Sequence, residues 1–174
     1  MHLEFIAYAG DCRVGGTVDL GDADRLTDLL NRTSDLSLRD VELVGHADGR
    51  IVRLPELELA RDEVYAVEAV GARGDPSRRI HTVRHRLEVK LGPYTVLGQL
   101  HAQPGGQPLV QYARRSPMIP LTNATIAFNE AREVVARDIG TLIVNRELAE
   151  WVRADIADRE AFPGVPEAAP APFA

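Results

Sequence analysis

The chain has 174 residues, 45% of them hydrophobic and 26% charged, with a formal net charge of −6. These values suit one large or two small globular domains, and with no apolar window near the roughly 20 residues of a membrane span they exclude a helical membrane protein. A chain this acidic repels polyanions at long range, which disfavours nucleic acid unless a local basic patch outweighs the field.

The first residues, "MHLEFIAYAGDC", carry neither a basic n-region nor a long apolar core, so no signal peptide is expected. Cys12 is the only cysteine. It leaves no internal disulfide and fits a cytoplasmic location, and in an alternating segment it reads as a small apolar side chain rather than a reactive thiol. Gly10-Asp11 then supplies a turn into the strand "CRVGGTVDL", where Gly16 allows a sharp bend or a close backbone approach. In "DADRLTDLLNR", Leu26, Leu29 and Leu30 have helical spacing for one or two turns, with Asp24 as the expected N-cap. "SLRDVELVGHADGRIVRL" predicts two strands around a two-residue turn at Asp48-Gly49, and "DEVYAVEAV" the last strand of a first unit.

Charge shifts at the connector. Residues 1–74 hold 8 basic and 15 acidic groups, whereas residues 75–100 hold 5 and 2. In "RHRLEVKL" the alternation places His85, Leu87, Val89 and Leu91 on one face and Arg84, Arg86, Glu88 and Lys90 on the other, a half-buried strand. Gly92-Pro93 turns the chain into "YTVLGQLHA", with Gly98 placed like Gly16, and "GGQPLVQYARR" again suits a short helix. "NRELAEWVRADIADREAF" predicts a strand to about Val152 followed by a short helix, and "AFPGVPEAAPAPFA" an extended or disordered tail.

These elements repeat. An offset of 82 sets Phe5 on Leu87, Gly10 on Gly92, Val14 on Val96 and Gly16 on Gly98. An offset of 83 sets Leu26 on Leu109, Arg32 on Arg115, Leu36 on Ile119, Asp40 on Asn123 and Leu43 on Ile126, and one of 85 lays "LARDEVYAV" on "VNRELAEWV". The drift is what short loop insertions give, and the pattern predicts a tandem duplication. The expected fold is mainly β: two tandem five-stranded small barrels, each with a short helical turn, plus a short C-terminal helix and tail. The expected boundaries are 1–74, 75–160 and 161–174. Closing such a sheet removes most of its edges.

The run "V-x-G-x-V", a short excursion, "LSLRDVEL", a hairpin and "ARDEVYAV" resembles the SH3-like and Sm-like small-barrel pattern, and "L-x-D-x-LN" followed by "VNR" resembles bacterial small β domains of unknown function. The chain departs from true Sm proteins in placing its helix between strands and in lacking their intact Asn and Arg-Gly nucleotide pocket. RNA binding is therefore not carried over by the resemblance.

No catalytic residue, metal ligand or cofactor-binding residue is expected, because no serine sits in a nucleophile motif and the histidines His81 and His85, four apart on a strand, lie about 13 Å apart. The aspartates Asp22, Asp24, Asp28, Asp35 and Asp40 lack the order of a calcium loop. Arg78, Arg79, Arg84, Arg86 and Lys90 form a basic ribbon able to contact phosphates, without interleaved aromatics for base stacking. The recurring pairs Gly16 and Gly98, Arg32 and Arg115, and Arg61 and Arg146 are read as structural. The expected function is a non-enzymatic protein-interaction or scaffold module, a homo-oligomer or a binder of a protein partner. The alternative is nucleic-acid or nucleotide binding through residues 78–90.

Overall fold

The computed structural model describes residues 1–70 and 81–154. Its strands are β1 (His2–Tyr8), β2 (Cys12–Asp19), β3 (Asp35–Gly45), β4 (Ile51–Ala60), β5 (Ala66–Glu68), β6 (Val83–Leu91), β7 (Tyr94–Ala102), β8 (Met118–Glu130), β9 (Glu133–Asn145) and β10 (Trp151–Ala154). Two short helices, α1 (Leu26–Arg32) and α2 (Pro108–Ala113), follow β2 and β7, and single 3-10 turns at Arg61–Glu63 and Arg146–Leu148 precede β5 and β10. The protein is mainly β. All ten strands form one antiparallel sheet ordered β10-β6-β7-β8-β9-β5-β1-β2-β3-β4.

That order contains one arrangement twice: the fifth strand of each half lies beside the first, followed by the second, third and fourth. The registers repeat too. Leu36 pairs with Leu59 and Ile119 with Val144, while Tyr8 pairs with Ala66 and Lys90 with Trp151. Each 3-10 turn is entered by the same backbone bond, Arg61 N–H to Ser34 O and Arg146 N–H to Pro117 O, both 2.7 Å.

The β2–β3 register slips between Gly15 and Thr17, and the β7–β8 register between Leu97 and Gln99. Each slip is a bulge. Its extra residue on the facing strand has a positive φ: Asp40 at 51° and Asn123 at 46°. Asp and Asn tolerate this left-handed conformation better than other residues with a Cβ, and a bulge adds twist and bend to the strand that carries it. Glycine opposite is required sterically. A Cβ on Gly98 would lie 2.8 Å from Leu121 Cβ, and one on Gly16 3.0 Å from the Arg39 carbonyl oxygen.

Several expectations at element ends are corrected. Arg25, not Asp24, is the N-cap of α1, and no side chain caps it. The β3–β4 connection is longer than two residues: Gly45 N–H bonds to Arg50 O, Gly49 N–H bonds back to Gly45 O, and Asp48 Oδ1 accepts from Arg50 N–H. Glu88, expected on the solvent face of β6, is buried because Arg153 of β10 covers it. The expected helix beyond Ala154 and the tail at 161–174 lie outside the described residues.

Two apolar cores result. One gathers Leu87, Val89, Tyr94, Val96, Leu121, Ile126 and Phe128; the other gathers Phe5, Val14, Leu26, Leu30, Leu36, Leu38 and Val67. Each borrows from the opposite half. Tyr8 and Ala66 belong to the first of these cores, and Met118 and Ile143 to the second.

Candidate functional site

The sheet offers two kinds of edge, one joined inside the chain and one left open. At the joined edge β5 meets β9: Ala66 pairs with Val144, Val67 with Ile143 and Glu68 with Leu142. The ladder extends through Asn145 N–H to Tyr65 O at 2.8 Å and Ala69 N–H to Thr141 O at 3.0 Å. The pairing satisfies backbone groups that an edge strand would leave exposed, and Ala66, Val67, Leu142, Ile143 and Val144 are all buried.

Two asparagines fasten this junction. Asn31 of α1 accepts from Met118 N–H and donates to Met118 O, both at 3.0 Å, so its amide acts as a short strand partner for the start of β8. Asn145, buried, donates to the carbonyls of Arg61 and Val64 at 3.2 and 3.1 Å and accepts from Glu147 N–H. Neither recurs in the other half, where the matching positions hold Arg114 and Ala60. Glu68 adds a bond from Tyr8 Oη at 2.7 Å and an ion pair with Arg137 at 3.4 Å. Burial and the adjoining Glu68 carboxylate raise the Tyr8 phenol well above its ordinary range.

Beside the junction lies a cluster of rings. Tyr8 and Tyr94 centroids are 5.5 Å apart edge to face, and His46 lies 4.9 Å from Phe128. Tyr94 gives its one hydroxyl proton to the Ala9 carbonyl. Its oxygen is then the acceptor for His46, whose Nε2 lies 2.5 Å away and carries the proton. The His46 Nδ1 is buried and has no hydrogen-bond partner among the described residues. Burial lowers the His46 pKa; Glu130 and Asp11 oppose that shift and Arg13 adds to it. His46 also ties three turns together, its N–H bonding to Asp11 O and its carbonyl accepting from Ala131 N–H, both at 2.8 Å.

The open edges are β4 and β10, each with one strand neighbour among the described residues. Trp151 of β10 is 41% exposed and stacks under the Arg153 guanidinium at 5.0 Å, while Ile51 and Val52 of β4 are exposed as well. Arg153 Nε donates to Glu88 Oε2 at 2.8 Å, joining β10 to β6.

The remaining candidates are dispersed. Arg78 and Arg79 lie outside the described residues, Arg84 is exposed, and Arg86 and Lys90 are half-buried, with Lys90 paired to Trp151 across the β6–β10 ladder. Arg115 donates to the His101 carbonyl, whereas Arg32 at the end of α1 is exposed. Arg61 and Arg146 open the 3-10 turns through their backbones. His81 is exposed and His85 half-buried. Cys12 is half-buried, with burial and the nearby Asp11 pushing its thiol up to about 11.

Among the described residues no group of three or more His, Cys, Asp or Glu side chains gathers in metal-binding range. A shallow cleft of about 390 Å³ between β1, β2 and β3 is lined by Arg13, Gly16, Asp40, Glu42 and Arg137. Its charges are mixed, and Arg137 is engaged with Glu68. No helix among the described residues is long and apolar enough to cross a membrane. Comparison with known proteins finds no family model, no curated protein and no solved structure that matches this chain.

Proposed function

We propose that this protein is a self-associating interaction module that works by strand addition at its sheet edges and carries out no chemistry of its own. Each five-strand set is taken as a strongly bent small barrel of the SH3-like and Sm-like kind, a reading supported by the paired bulges at Gly16 with Asp40 and Gly98 with Asn123. The observation that carries the functional reading is the pair of open edges. The chain already joins β5 to β9 by edge pairing, while β4 and β10 have backbone groups and apolar side chains facing outward. Edge strands of that kind bind through main-chain hydrogen bonds, with side chains selecting the partner.

The nucleic-acid reading rests on the basic side chains of residues 78–90, of which Arg84, Arg86 and Lys90 fall among the described residues and Arg78 and Arg79 do not, and the net charge of −6 opposes it. Sedimentation equilibrium of the full chain over a micromolar range tests the proposal. The expected result is a concentration-dependent mass above the 19.1 kDa of one chain. A strict monomer that instead binds an RNA oligomer, with affinity falling steeply as salt rises, overturns it.

A further inference from the structure

The internal junction specifies what an open edge is built to meet. Ala66 and Trp151 hold matching places, since each lies opposite the last or next-to-last residue of the first strand in its half, Tyr8 and Lys90. Val144 and Leu59 match likewise, facing Ile119 and Leu36. The side of β10 left open therefore corresponds to the side of β5 that pairs with β9, and the open side of β4 corresponds to the side of β9 that pairs with β5.

We propose that the open edges serve a second copy of this chain, joined head to tail, with β10 of one copy paired antiparallel to β4 of the next in the register of the β5–β9 junction. This rests on the reading of the protein as a self-associating module and adds partner, polarity and register. Displacing the internal ladder sets Trp151 against Leu59 of the second copy, Val152 against Glu58 and Arg153 against Leu57.

Two observations favour a second copy over an unrelated strand. Apolar side chains covered inside are uncovered outside: Ala66 and Leu26 are 0% and 4% exposed, whereas their counterparts Trp151 and Leu109 are 41% and 43% exposed. The second is charge. Asn31 lies four residues before Asp35 at the start of β3 and bonds to Met118, which starts β8; four residues before Met118 stands Arg114. Asp35 faces Ala60 on β4 as Met118 faces Asn145 on β9. Head-to-tail pairing thus brings the Arg114 side chain to the backbone at Asp35 of the next copy, as Asn31 meets the backbone of Met118 in the internal junction, and so sets opposite charges side by side. Arg114 and Asp35 are both exposed in the single chain. A heterologous contact of this kind closes into a ring or runs on as a filament, according to the rotation per junction.

Charge exchange tests the proposal on the full chain, at two exposed positions where substitution spares the cores. Arg114→Asp and Asp35→Arg, each alone, are expected to raise the dissociation constant measured by sedimentation about tenfold by placing like charges together, and the double variant to restore it. Thermal melts of dilute protein check that each variant folds. Association that is insensitive to both single changes overturns the head-to-tail register while leaving self-association standing. A wild-type chain that stays monomeric removes both.

Discussion

Gly98 shows how one residue constrains the backbone. A side chain there meets Leu121 Cβ at 2.8 Å, and strand β8 cannot retreat without losing its own ladder to β9. Gly98→Val is therefore expected to lower stability by about 1 to 3 kcal/mol, and Gly16→Val to do the same against the Arg39 carbonyl. Gly15→Ala serves as the control, because its nearest contact, the Glu42 carbonyl oxygen, is 3.7 Å from the added carbon. Urea denaturation separates the cases, and equal midpoints for Gly15→Ala and Gly98→Val would refute the argument. His46 adds a pH dependence. Burial depresses its pKa, so the folded state prefers the neutral ring. The resulting stability is fully present above the ordinary histidine pKa near 6.5 and is lost as pH falls through the lower folded value. His101, depressed by burial and by Arg84 and Arg115, acts in the same direction. Melting temperature should fall as pH drops below about 6.5, and less so in His46→Gln. The special glycines were legible because a glycine within an alternating strand is itself a signal. The importance of His46 was not, since its partners Tyr94 and Phe128 are 48 and 82 residues away and only the fold unites them.

At the scale of elements, the strands were legible where alternation is clean, as in β6, and connections were read less well. A two-residue turn was expected at Asp48-Gly49, where the chain forms a longer loop closed by Gly45 and Arg50. The two-residue turn with both residues at positive φ lies instead at Ala131-Arg132, with φ of 49° and 70°, between the paired Glu130 and Glu133. Neither residue type favours this geometry, so nothing in the local sequence announces it. What fixes it is tertiary: Ala131 N–H bonds to His46 O. Replacing Ala131-Arg132 with Asn-Gly, the residues that a turn of this kind prefers, should stabilise the protein by about 1 kcal/mol by relieving left-handed strain. A calorimetric melt reads the gain directly. An unchanged or lower melting temperature would show that the Ala131 backbone bond, rather than the turn chemistry, sets its stability. The asparagines of the junction were invisible for a related reason. Asn31 and Asn145 depart from the repeat pattern, standing where the other half has Arg114 and Ala60, and a repeat marks the positions its two halves share rather than those they do not.

At the scale of the molecule, the question is whether two similar halves behave as two units or one. Matched registers alone would permit independent folding, because each half has its own first-to-fifth strand pairing, β1 with β5 and β6 with β10. The cores argue otherwise. Met118 and Ile143 fill the core of the first half, and Tyr8 and Ala66 that of the second, all of them at most 1% exposed. Unfolding either half would expose these side chains in the other, at roughly 1.5 to 3 kcal/mol for each large one, and would strip Asn145 of the carbonyls it satisfies. Several such penalties exceed a typical share of the marginal stability of a small domain. One cooperative transition is therefore expected, with calorimetric and van't Hoff enthalpies equal at a concentration low enough to keep the chain monomeric. Two resolved transitions, or a calorimetric enthalpy near twice the van't Hoff value, would mean that the β5–β9 junction opens before either half melts. An edge pairing that weak within one chain could not hold two separate chains together, so the same measurement bears on head-to-tail association.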